Sequence, residues 1–233
     1  AWYAPSTNGA TVILRHGAGS DASSVFPQAG VLAAHGFGVL VTDARGHGRS
    51  QGRAMEFGWF GDLDIGAAVD FLVAQPEVDA GKIAVVGMSM GGEEAIGAIG
   101  SDPRIAAVVA EGATARTDAD KRWLAEVYGF RGRIQLGLEW AQYSVTDLLT
   151  DASKPLPLAN AARSAAPRPI LLIAGGEMAD EVHVIDYLNE QAGGNVSTWT
   201  VGDAGHIEGL ATDPAGWEEE VVGFLETALM QSG

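Results

Sequence analysis

Residues 85–95 read Val-Val-Gly-Met-Ser-Met-Gly-Gly-Glu-Glu-Ala, or VVGMSMGGEEA. The apolar run IAVV at 83–86 leads into the stretch, and small residues lead out of it. Gly87, Ser89 and Gly91 form the pattern G-x-S-x-G at the point where a buried strand would hand over to a helix. That pattern suits a sharp strand-to-helix turn that lifts a serine Oγ above the sheet, with flanking glycines that spare the turn a Cβ clash. The start of the following helix favours negative charge beside Ser89. Ser89 is therefore the candidate nucleophile. An incidental glycine turn would need none of this context.

A serine of this kind needs a base, an orienting acid and an oxyanion site. The chain has five histidines, His16, His35, His47, His183 and His206. The order serine, acid, histidine singles out His206, in GDAGHIEGL after the last strand candidate. His35 and His47 precede the serine, and His183 falls on a helix. The acid should follow the run ILLIAGG, where Glu177, Asp180 and Glu181 stand in GGEMADEVHV. Glu111, one strand earlier, is a fourth candidate. Asp180 also reads as the N-cap of the next helix, which makes Glu181 the first choice and Asp180 the alternative. Oxyanion donors are expected from the N–H of Met90, directly after the nucleophile, and of Ala18 in the loop RHGAGS. No lysine follows that loop as a phosphate-binding P-loop would require.

Working outward, short β-branched or apolar runs recur at 11–15, 38–42, 83–86, 105–110, 170–174 and 196–201. Runs without alternation suit strands buried on both faces. Their alternation with helical segments at 62–75, 90–100, 181–191 and 217–230 predicts an α/β fold with a mostly parallel sheet and helices on both sides. In the last of these helices, Glu218, Glu219 and Glu220 would occupy the first turn. Residues 113–169 break the alternation, and a structureless loop of that length is improbable. They read as a helical cap insertion within one domain spanning 1–233. Its aromatic residues, with Trp59 and Phe60, suit either an apolar acyl pocket or a packed cap core.

Taken together, RHGAGS, VTDARGHGRSQGR, VVGMSMGGEEA, PILLIAGG and GDAGHIEGL resemble the α/β-hydrolase superfamily. The set is most similar to bacterial serine hydrolases near the dienelactone hydrolases and the prolyl-oligopeptidase-like esterases. The resemblance implies a Ser–His–acid triad, no cofactor and a helical cap where 113–169 lies. Three departures stand out. Only AWYAPSTNGA precedes the first parallel strand, so Trp2-Tyr3 reads as the remnant of an antiparallel one. The loop GGEMADE lacks the common G-x-x-D spacing. Dienelactone hydrolases proper often use a cysteine nucleophile, and this chain has no cysteine. In DARGHGRS, Asp43 and Arg45 read as a structural ion pair.

The net charge of −16 over 233 residues disfavours nucleic acid and anionic membrane as partners. Without cysteine, disulfides and thiolate metal sites are excluded, and no metal or cofactor is expected. No run reaches the length of a membrane span, and no charged, apolar leader is visible. A cytoplasmic setting is favoured, with secretion left open because the chain starts at Ala1. The expected activity is hydrolysis of small carboxylic esters through an acyl-enzyme. A peptidase or thioesterase on the same triad, or a receptor of the same fold with weak turnover, are the rivals. The oligomeric state is left open.

Overall fold

The computed structural model describes residues 1–52 and 56–230. Strands β1 (Trp2–Ala4), β2 (Thr11–Arg15), β3 (Gly38–Thr42), β4 (Ile83–Met88), β5 (Ile105–Glu111), β6 (Ile170–Gly175) and β7 (Val196–Val201) form one sheet in the order β1-β3-β2-β4-β5-β6-β7. Only β1 runs antiparallel to its neighbour, with Trp2 opposite Val41. β2 and β4 are buried at every position, which is why their sequences lack alternation.

Side chains of the same strand separate by face. Ile13, Val85 and Val108 join one core with α2 (Gly61–Val73), α3 (Met90–Ser101), α5 (Leu158–Ala165) and α6 (Ala179–Gln191). Val12, Leu14 and Val86 join a second core with α1 (Phe26–Ala34) and the C-terminal helix. Among the described residues no helix is long and apolar enough to cross a membrane.

β2 and β4 are neighbours, but the chain leaves β2 toward β3 on one side and returns through α2 to β4 on the other. The loops after these two strands therefore diverge and open a crevice at their carboxyl ends, the usual ligand position in open α/β sheets. Beneath it lies a buried ion pair. The Arg15 guanidinium donates to Glu94 Oε2 from Nε (2.8 Å) and from Nη2 (2.5 Å), and both side chains are 3% exposed or less.

Between β5 and β6 the chain forms a helical turn at Asp118–Lys121, α4 (Trp123–Leu149) and α5. α4 is helical throughout except at Gly129, whose φ of 56° marks a kink. Two buried carboxylates fix the ends of this segment. Glu93 Oε1 accepts from Thr114 N, Thr114 Oγ1 and Ala115 N. Asp120 accepts from Arg116 N, Thr117 N, Thr117 Oγ1 and Leu158 N. Tyr143 of α4 stacks on Trp59, and the Tyr128 hydroxyl donates to Asp180 at the start of α6. The segment thus ties the loop after β3 to the helix after β6.

Three local expectations are corrected. Asp180 is not the cap of α6: that position is Met178, without a side-chain cap bond. Asp43 and Arg45 do not pair. Asp43 accepts from the backbone of Ala22 and Arg49, whereas Arg45 pairs with Asp64 and lies over the Phe60 ring. The last helix begins earlier than its charge pattern suggests. Asp213 caps a single helical turn at Pro214–Trp217, and the chain continues through one π turn at Glu218–Val222 into α7 (Gly223–Met230). The three glutamates therefore sit on that π turn.

Candidate active site

Ser89 stands between β4 and α3 with φ 52° and ψ −123°, a conformation that costs a non-glycine residue on the order of 1–3 kcal/mol. Its surroundings hold it there. Ser89 N–H donates to the Glu111 carbonyl at 2.7 Å, and the Ser89 carbonyl accepts from Gly92 and Glu93. The flanking glycines are steric necessities. A Cβ on Gly87 would lie 2.2 Å from the Gly91 carbonyl oxygen, and one on Gly91 would lie 2.6 Å from the carbonyl oxygens of Arg15 and His16. Gly17 is tight but less so, since a Cβ there would meet Ser89 Cβ at 3.0 Å.

The structure brings Ser89, His206 and Glu181 into one hydrogen-bonded chain. Ser89 Oγ donates to His206 Nε2 at 2.9 Å, and His206 Nδ1–H donates to Glu181 Oε1 at 2.5 Å. This tautomer is assigned from the partners, because a carboxylate can only accept. Glu181 lies in the first turn of α6, and its other oxygen accepts from Gly175 N–H at 3.0 Å. Its side chain is 2% exposed, whereas that of His206 is 41% exposed and open to solvent. The bond from Glu181 raises the His206 pKa above its ordinary value, against a lowering contribution from burial.

The other acid candidates lie elsewhere. Glu177 is exposed on the loop after β6. Asp180, one residue from Glu181, is turned to Tyr128. Glu111 is buried beneath the histidine loop and accepts from Gly209 N–H (2.8 Å) and Trp217 Nε1–H (3.2 Å). Burial raises its pKa. Through its carbonyl it holds the serine, and through its carboxylate it holds the segment after His206. Next to it, Gly112 has φ +69°, and a Cβ there would lie 2.9 Å from His206 Cε1 and 3.0 Å from Nδ1. Sequence reasoning weighed Glu111 only as an acid. The available signal was a carboxylate ending an otherwise apolar strand immediately before a glycine.

Ala18 lies exposed in the loop after β2, and Met90 is the buried first residue of α3. Two histidines brace that loop. Ala44 N–H donates to His16 Nε2 at 2.8 Å, so Nδ1 carries the proton and donates to the Gly17 carbonyl. Burial lowers the His16 pKa, in keeping with an Nε2 that accepts a hydrogen bond. His47 Nε2 accepts from Gly19 N–H at 3.3 Å. His183 is exposed on α6 beside Trp123, and His35 is the C-cap of α1.

Trp59 is buried against Tyr143 and Ala152, and its indole N–H donates to the Arg116 carbonyl. It belongs to a packed core. Together with Phe60 it also lines a cavity of about 810 Å³ between α2, α3 and residues 153–156. Among the described residues no cluster of His, Asp or Glu could hold a metal ion.

Comparison with known proteins extends this picture. An uncharacterized Mycobacterium tuberculosis protein is 35% identical over 111 residues, covering 46% of this chain and 39% of that protein. The uncharacterized protein YfhR of Escherichia coli K12 is 29% identical over 109 residues, covering 44% and 38%. The matched stretch thus spans about two fifths of the length of these curated relatives. Among solved structures, the Pyrococcus furiosus esterase Pf2001 superposes with a TM-score of 0.77 at 24% identity, over 98% of this chain and 85% of that one. A dienelactone hydrolase from Anabaena variabilis gives 0.64 at 20% identity, over 97% and 88%. At such identities the likeness is one of fold. The family model for serine aminopeptidase, S33 (Hydrolase_4), matches residues 6–175, which include β2 to β6 and the serine turn. The chain belongs to this family of the α/β-hydrolase superfamily.

Proposed function

We propose that the chain is a serine hydrolase acting on carboxylic esters. The observation that carries this reading is the unbroken hydrogen-bonded path from Ser89 Oγ through His206 to Glu181. Ser89 Oγ attacks the ester carbonyl while His206 Nε2 takes its proton. Glu181 holds the proton on Nδ1 and stabilises the imidazolium that forms. His206 then returns the proton to the leaving alcohol, and water, activated in the same way, releases the acyl group and regenerates Ser89.

The tetrahedral oxyanion is held by the N–H groups of Ala18 and Met90. Two features support that assignment. Neither N–H makes a hydrogen bond among the described residues, and the start of α3 adds the positive end of a helix dipole. Residues 113–169 act as a cap, a role supported by their ties to the loop after β3 and to the start of α6. The esterase and dienelactone hydrolase among the structural neighbours favour esters. The family description favours a second reading, aminopeptidase activity.

A panel of nitrophenyl esters and aminoacyl nitroanilides separates the two. We expect wild-type protein to turn over the esters and to label rapidly with a fluorophosphonate. Ser89→Ala should abolish both, with a loss on the order of 10⁴-fold or more in rate and an unchanged circular dichroism spectrum. Preference for the anilides would favour the second reading. Absence of labelling in folded wild-type protein would remove both and leave a ligand receptor.

A further inference from the structure

After the kink at Gly129, α4 presents Phe130, Ile134, Leu138, Val145, Leu148 and Leu149 to solvent, each between 54% and 83% exposed. At about 100° per residue these six fall within an arc of about 100°, with Ala141 inside it and the exposed Arg131 at its edge. The buried and half-buried residues Gly132, Leu136, Glu139 and Tyr143 lie on the opposite side of the helix. The helix is thus apolar on a face that the other described residues leave uncovered.

A fully exposed large side chain presents roughly 150 Å², so six at about two-thirds exposure leave on the order of 600 Å². Monomers seldom leave more than about 300–600 Å² of contiguous apolar surface open. A standard interface buries about 800 Å² per partner, so the stripe supplies most of one.

We propose that this stripe is the contact face of a homodimer, in which α4 packs antiparallel against α4 of a second copy. The charges along the helix are self-complementary in that arrangement. Arg133 lies toward one end and Asp147 toward the other. They are fourteen residues apart, hence about 40° apart around the axis and on one flank of the stripe. Both are exposed, and neither forms an ion pair among the described residues. A two-fold axis near residues 138–141 places Arg133 of each copy beside the other copy's Asp147, and Phe130 across from Leu148. On a chain of net charge −16 most other faces of two copies repel. The same charge disfavours an anionic membrane as the occupant.

Sedimentation equilibrium across a micromolar concentration range tests this. Wild-type protein should show a reversible species of twice the 24.1 kDa of one chain. Leu138→Glu should weaken the dimer by at least about thirty-fold, as loss of a central contact does. Its circular dichroism spectrum should be unchanged. Arg133→Asp should also weaken the dimer, and Arg133→Asp combined with Asp147→Arg should restore it. A wild-type monomer at every concentration would overturn the proposal, as would a dimer indifferent to Leu138→Glu. Failure of the double charge exchange to restore association would overturn the antiparallel register. A monomer that floats with neutral phosphatidylcholine vesicles would identify a membrane as the occupant instead.

Discussion

Gly112→Ala offers a sharp test of how His206, the proposed base, is positioned. Its Cβ would stand 2.9 Å from His206 Cε1, 3.0 Å from Nδ1 and 2.8 Å from Ile207 Cγ2. Reaching ordinary contact, at 3.4 Å or more, requires the ring and its neighbour to retreat by about 0.4–0.6 Å. Productive geometry tolerates only about 0.5 Å, and a misplacement of about 1 Å costs on the order of 10²-fold. We therefore expect kcat for a nitrophenyl ester to fall about 10- to 100-fold. Alanine at φ +69° also strains the backbone by about 1–2 kcal/mol. For a domain of this size, that lowers Tm by about 2–8 °C.

The control separates the two effects. Gly194 has φ +83° and nothing within 4 Å of its Cβ position, and it precedes β7 at the end of the sheet away from Ser89. Gly194→Ala should lose similar Tm with unchanged kcat. If Gly112→Ala keeps kcat within about twofold of Gly194→Ala, contact with Gly112 does not set the position of His206 and the reasoning fails.

In the proposed mechanism His206 must be neutral to take a proton, and its bond to Glu181 raises its pKa. Activity should therefore be lost as pH falls through a midpoint above the ordinary histidine value of about 6.5. Glu181→Gln should shift that midpoint downward and reduce kcat by up to about 10⁴-fold. An acid limb unmoved in Glu181→Gln would refute the pairing. For Glu111→Gln we expect a loss of about 1–3 kcal/mol, read as a lower Tm, because the new amide turns an N–H toward Gly209 or Trp217. Its kcat should fall by less than tenfold, and a Tm equal to wild type would show that those two bonds contribute little.

What the sequence made legible followed burial. β2, β3, β4, β5 and β6 were readable because strands covered on both faces leave unbroken apolar runs, whereas the largely exposed edge strand β7 was readable only from its β-branched residues. The serine turn was readable because its glycines answer a local steric demand, now visible at Gly87 and Gly91. Which carboxylate meets His206 was not readable beyond a ranking. Asp180 and Glu181 are adjacent, and only the phase of α6 decides that one faces Tyr128 and the other His206. Arg45 was misassigned for the same reason, since its partner Asp64 is brought near only when α2 docks. α4 gave no clean helical signal because its apolar residues populate two opposite faces.

The Arg15–Glu94 pair has a consequence for how such a chain drifts. Replacing either partner alone strands a charge in the interior, at about 3–5 kcal/mol, a large share of the roughly 5–15 kcal/mol that holds a typical domain folded. Replacing both with apolar groups of matched volume is close to neutral. Gly61 is tied to the same event, because a Cβ there would lie 2.2 Å from Glu94 Cγ, and Arg15 holds that side chain in place. Three positions distant in the chain therefore form one unit of inheritance. A lineage that alters one of them must cross a markedly destabilised intermediate or change its counterpart in the same step.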